Sequence, residues 1–210
     1  MTNRIAEQKP NFAKEMLRNS SLFYGVMVAL GLLTIHYQYN NLGGLFGAVA
    51  LELPFLETVI ATGLAFLCCL VAHFLLSMQF ASYRAYRSIM TRIIGRLPLY
   101  LGLYLAVLSA FAEEVLFRAA IQPQMGLVLT TILFSLIHAG PMIRLGPWTL
   151  MTVIVGILCG WLFDRTGILW PSLFIHAGFN ICSIVAHKLS YNTLIASSDS
   201  GSSEQLTERD

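Results

Sequence analysis

Glu113 and Glu114 are adjacent in the apolar stretch 108–118, and Arg118 follows the second of them by four residues. Farther along, His138 stands four residues after Phe134, and Asn180 four residues after His176. Together these are the parts needed to activate a water molecule. A carboxylate and an imidazole can share its proton, while a second imidazole and an amide stabilise an oxyanion. Taken singly, each group has a plainer use, since a lone histidine or asparagine in an apolar helix often bridges to a neighbouring helix. Their joint presence in apolar sequence sets them apart. A charge at the centre of a membrane-spanning helix costs about 2.5–3.5 kcal/mol on insertion scales, so such residues point to function unless something pairs them.

The spacing divides the two glutamates. Glu114 and Arg118 share a helical face, acid before base, which reads first as an ion pair that lets both sit in a bundle. Glu113 is rotated by about 100° from Glu114 and needs another partner. The alternatives for it are a protonated acid bonded to a backbone carbonyl and a carboxylate meeting the histidines. Phe134 and His138 share a face, so the ring can pack behind the imidazole, and His176 shares a face with Asn180. His36, His73 and His187 read as structural, two of them near span ends and His73 with no acidic residue nearby in sequence.

The elements that must position these groups follow from composition. Of 210 residues, 56% are hydrophobic and 11% charged, with a mean hydropathy of +0.68. Soluble domains carry about 25% charged residues, so the expected class is all-α, a polytopic membrane helical bundle. Spans of about 20 apolar residues fall near 21–37, 57–79, 98–121, 124–139, 147–163 and 168–187. The segment 42–56 is interrupted by glycines and Pro54 and reads as re-entrant or interfacial. Arg4, Lys9, Lys14 and Arg18 precede the first span, and Arg84, Arg87, Arg92 and Arg96 follow the second. The positive-inside rule wants both groups on the cytoplasmic side, which two intervening spans achieve. Six spans then leave both termini cytoplasmic. The four cysteines lie in apolar runs, two of them adjacent, and read as packing residues.

In 80–97, Tyr83, Tyr86, Met90, Ile93 and Leu97 recur at helical spacing with the arginines largely opposite. Two readings fit: an amphipathic helix on an anionic lipid surface, or a basic loop that fixes topology. The chain thus divides into a cytoplasmic tail (1–20), N-terminal membrane segments with the basic helix (21–97), a membrane core holding the polar residues (98–187) and a C-terminal tail (188–210). That tail turns Ser-rich and acidic near Ser197 and is expected to be disordered. It lacks a Cys-a-a-X ending, and no secretory signal opens the chain.

The runs Glu113-Glu114-Val115-Leu116-Phe117-Arg118, Phe134-Ser135-Leu136-Ile137-His138 and His176-Ala177-Gly178-Phe179-Asn180 resemble, intact and in order, the motifs of the CPBP (CAAX protease and bacteriocin-processing, or Abi) family of intramembrane proteases. The likeness covers about 98–187. It implies a helical bundle similar to that of the Ras-converting enzyme, and peptide-bond hydrolysis in a membrane-associated peptide or protein. By the same resemblance Glu113 is the general base, helped by His138. His176 and Asn180 hold the oxyanion, while Glu114, Arg118 and Phe134 support the site. A Glu/His/His set can bind zinc, but no His-Glu-x-x-His run is present and an amide is a poor zinc ligand, so a metal-free mechanism is expected. No nucleic-acid partner is implied. The expected location is a bacterial inner membrane.

Other function classes stay open on the sequence. A proton- or ion-coupled transporter also buries Glu, His and Arg, but would favour internal repeats, and none is evident. A non-catalytic peptide-binding or immunity protein would need the fold without the chemistry. One geometric demand is specific. With regular spans, Glu113 lies about 13 Å from the non-cytoplasmic end of its helix and His138 about 21 Å from the start of its own. Tilted helices, or a connection at 121–126 sunk into the protein, would close that gap.

Overall fold

The computed structural model describes residues 3–39, 54–139 and 146–207, with side chains over 12–38, 54–139 and 146–197. Every element there is helical: α1 (Asn3–Tyr39), α2 (Phe55–Gln79), α3 (Ala81–Ile94), α4 (Leu99–Glu114), a π-helical segment (Val115–Ile121), α5 (Gln122–His138), α6 (Pro147–Thr166) and α7 (Trp170–Thr207). The re-entrant segment expected at 42–56 lies outside the described residues except for its last three.

Four helical stretches are long and apolar enough to cross a bilayer: Phe12–Gln38, Phe55–Gln79, Leu99–His138 and Pro147–Thr166. Their outward faces carry Leu22, Leu33, Phe74 and Val128, all exposed. That surface suits hydrocarbon, and the protein is an all-α membrane bundle, as its composition requires. The six expected spans map onto α1, α2, the two arms of Leu99–His138, α6 and the first half of α7. In α7, His176, Asn180 and His187 dilute the apolar character, and the helix packs against α2, α4 and α6 instead.

The stretch Leu99–His138 is broken at Gly126, where it folds back on itself. On a straight helix Glu113 and His138 would stand about 37 Å apart, whereas their side chains approach to 3.4 Å. The rings of Phe117 and Phe134 lie 5.2 Å apart. Both pairs are centred on residues 125–126, where Gly126 takes φ 74° and ψ 168°. A positive φ of this kind is open to glycine at little cost, which is why the reversal falls there. Near this apex Gln122 is only 2% exposed and Arg118 0%. Residues 123–126 themselves are exposed, so the connection expected to be sunk at 121–126 is buried only at Gln122, and it is the reversal at Gly126 that brings Glu113 and His138 to one level.

The π-helical segment had no signal in the sequence. Its wider turn begins directly after Glu114 and carries Phe117 and Arg118 inward. Such insertions shift the register of everything that follows and occur often at functional sites.

Two further expectations need correction. The 188–210 tail is not irregular throughout, because α7 continues to Thr207. Extending an existing helix adds one hydrogen bond for each residue fixed and needs no buried face, so polar sequence can follow it. In 80–97 a helix forms, but it docks on the bundle. Tyr83 and Thr91 are buried and Arg87 is half-buried, while Ile93 faces out at 40% exposure. The nitrogen Nδ1 of His73 lies 2.7 Å from the Tyr83 hydroxyl, and that of His187 lies 2.9 Å from Thr91 Oγ1. Those contacts tie α3 to α2 and α7 and give both histidines structural work. Burial pushes the phenols of Tyr83 and Tyr86 up to about 12, so both stay neutral beside Arg87 at physiological pH. All four cysteines are free.

Candidate active site

Glu113 ends α4 beside the π-helical segment, His138 ends α5, and His176 and Asn180 occupy successive turns of α7. The fold brings the first three together. Glu113 Oε2 lies 3.4 Å from His138 Nε2 and 3.6 Å from His176 Nε2. It is buried and has no hydrogen-bond partner within the protein. Asn180 lines the same cavity of about 180 Å³. Its Nδ2 donates to Ser109 Oγ at 3.2 Å, and more weakly to the Ala106 carbonyl at 3.5 Å.

The second nitrogen of each ring determines what it offers Glu113. His138 Nδ1 lies 2.8 Å from the Phe134 carbonyl, which only accepts, so Nδ1 carries a hydrogen. His176 Nδ1 lies 2.8 Å from Glu114 Oε1 and donates to that carboxylate. With both Nδ1 positions protonated, neutral rings present lone pairs at Nε2. A carboxylate facing two lone pairs cannot hydrogen-bond to either. One proton shared among Glu113 Oε2 and the two Nε2 atoms resolves the conflict, and a movable proton is what acid–base chemistry on water needs. Separations of 3.4–3.6 Å are longer than a working hydrogen bond, as is common for catalytic groups before substrate arrives.

Glu114 does more than pair with Arg118. One oxygen accepts from Arg118 Nε at 3.2 Å and the other from His176 Nδ1 at 2.8 Å, so the acid fixes the imidazole and joins it to the guanidinium. Arg118 Nη1 donates to Gln122 Oε1 at 2.9 Å. Gln122 Nε2 in turn donates to the Gly160 carbonyl at 2.8 Å and to Asp164 Oδ1 at 2.6 Å. A side chain at Gly160 would meet the ends of Leu127 and Gln122, so it would displace Gln122 from the place where it bonds Arg118. Phe134 fills the remaining side, 4.3 Å from the His138 ring and 5.5 Å from the Arg118 guanidinium.

Sequence reasoning missed Gln122, Ser109 and Tyr24. A neutral amide or hydroxyl carries no charge penalty to flag it, and Tyr24 reaches the cavity from α1, far away in sequence. Gln122 gives a direct test. Replacing it with Leu orphans Arg118 Nη1, at about 1–3 kcal/mol for a buried group. Thermal unfolding in detergent should fall accordingly, whereas an unchanged midpoint would mean the chain from α6 to Arg118 carries no load. Among the described residues, no cluster of three or more His, Cys, Asp or Glu side chains has the geometry to hold a metal ion.

Residues 95–182 match the family model described as type II CAAX prenyl endopeptidase Rce1-like. Over 76 residues the chain is 33% identical to the uncharacterized protein YpbD of Bacillus subtilis (strain 168), which covers 35% of this chain and 39% of that protein. The match therefore spans well under half of the curated relative's length. No solved structure is significantly similar to the chain. The segment 95–182, which contains all three motifs, is thus similar to the type II CAAX prenyl endopeptidase Rce1-like model.

Proposed function

We propose that the protein is an intramembrane endopeptidase that hydrolyses a peptide bond in a membrane-associated peptide or protein. One observation carries this reading: a buried carboxylate oxygen of Glu113, unbonded within the protein, faces Nε2 of both His138 and His176 on the wall of a cavity. In this reading Glu113 takes a proton from water, and His138 shares it and returns it to the leaving amine. The tetrahedral oxyanion is held by His176 Nε2–H and the Asn180 amide, with the Glu114 carboxylate supporting positive charge on the His176 ring. Arg118 neutralises Glu114, so the anion that anchors His176 does not oppose the oxyanion. Phe134 keeps bulk water from the rings. Both termini face the cytoplasm of a bacterial cell, because the basic residues in the N-terminal part of α1 and along α3 then lie on the positive-inside face.

The mechanism needs no metal. Purified protein in detergent should therefore cleave a membrane-anchored peptide at an unchanged rate in a strong chelator. His176→Ala should lose about 10²–10³ of the rate, the usual effect of removing an oxyanion donor. Loss of activity on chelation, restored by zinc, would replace this mechanism with a metal-dependent one. Wild type and His176→Ala with equal rates would remove His176 from the chemistry.

A further inference from the structure

A second cavity, of about 250 Å³, adjoins the catalytic one and shares Tyr24, Ser109, Trp148 and Asn180 with it. It runs beneath α3, and most of its wall is apolar, including Met90, Leu97 and Ile184. Three basic side chains line it, Arg87, His73 and His187, and among the described residues no acidic one does.

Arg87 is the unusual member. Arg84, Arg92 and Arg96 on and beside the same helix are exposed, whereas Arg87 is half-buried. Its one hydrogen bond among the described residues is from Nη1 to the Ser77 hydroxyl at 3.2 Å, a neutral partner. Among the described residues it forms no ion pair. Holding α3 to the end of α2 does not require it, because Arg84 already donates to the Ser77 and Met78 carbonyls at 3.0 and 2.9 Å. The neighbouring phenols are neutral and the two histidines supply no negative charge. Among the described residues this half-buried guanidinium has no counter-charge, and its remaining N–H groups form a fork suited to a carboxylate.

We propose that the cavity beneath α3 is a substrate subsite in which Arg87 binds a carboxylate of the peptide being cleaved. The inference rests on the endopeptidase reading and names a specificity determinant for it. An extended peptide whose scissile carbonyl lies between His176 and Asn180 continues past Ser109 and Trp148 into this space. A substrate carboxylate is favoured over a lipid phosphate because the cavity is continuous with the catalytic one through Tyr24, Ser109, Trp148 and Asn180, where a peptide held for cleavage would lead. The carboxylate has two possible sources, the terminus of the peptide or an acidic side chain close to the cut.

The test uses the full chain in lipid nanodiscs and peptides of one scissile sequence. One pair differs in a free or amidated C-terminus, and another carries Asp or Asn at each of the positions flanking the cut. Wild type should favour one carboxylate form by about ten- to a hundredfold in kcat/KM, the usual range for a charge-assisted hydrogen bond. The pair that responds identifies the source. In Arg87→Ala the preference should collapse to about threefold or less, with Arg87→Lys in between. No preference in wild type, or the same preference in Arg87→Ala, overturns the subsite. If wild type cleaves no peptide, the endopeptidase reading fails while the subsite is still decided by the anisotropy of labelled peptides. Carboxylate forms must then bind more tightly than neutral ones, and only with Arg87 present. Tighter binding of anionic-lipid nanodiscs by wild type than by Arg87→Ala, without any peptide effect, assigns Arg87 to the membrane surface and contradicts the proposal.

Discussion

Glu113→Gln should lower kcat by about 10²–10⁴, the range for removing a general base, while leaving the fold intact. Both effects follow from one contact. Gln cannot take a proton from water, but its amide can donate to the Nε2 lone pairs that now face Glu113 Oε2 at 3.4 and 3.6 Å. The substituted site gains hydrogen bonds as it loses its base, so thermal unfolding should hold or rise. A variant that lost activity and stability together would mark Glu113 as a structural acid and leave the chemistry without its base. A membrane phenotype that survived the substitution would favour a protein that binds peptides without cutting them.

Arg118→Ala should have the opposite signature, a loss of fold before any question of rate arises. Arg118 and Glu114 are 0% and 1% exposed. Removing one member of such a pair leaves a buried charge uncompensated, at about 3–5 kcal/mol. Here the cost spreads, because Glu114 also holds His176 and Arg118 also holds Gln122. Detergent-solubilised Arg118→Ala should unfold at a markedly lower temperature or fail to purify. The double variant Arg118→Ala/Glu114→Ala should recover part of the loss, since it removes the orphaned anion as well. Arg118→Ala with wild-type stability would show that Glu114 is neutral in the folded protein and that the ion pair is not what fixes His176.

How far the site was legible in the sequence depends on which interactions are local. The Glu114–Arg118 pair could be read from a four-residue spacing, and the polar residues stood out because lipid makes them expensive. The convergence of Glu113 with His138 is expected from the unpaired acid and the resemblance, but its geometry is not, since it rests on a reversal at Gly126 and on a π-helical segment set by packing. Straight-helix arithmetic left those two side chains at different depths, and the fold-back at the exposed apex 123–126 brings them together. The bond between Glu114 and His176 spans 62 residues and changes the acid from a partner of Arg118 into the anchor of an imidazole. In α3 the periodicity gave a helix but set the arginines too uniformly outward. Arg87 turns in because Tyr83 and Thr91 are held by His73 and His187.

The central claim is that Glu113 delivers water to a peptide bond inside the membrane. It is tested most directly by cleaving a membrane-anchored peptide in ¹⁸O-labelled water and weighing the new C-terminal fragment ends by mass spectrometry. Wild type should place one solvent oxygen in the newly formed carboxyl group, and Glu113→Gln should yield no labelled product in the same time. Absence of cleavage by folded wild-type protein, or equal labelled product from Glu113→Gln, would contradict it.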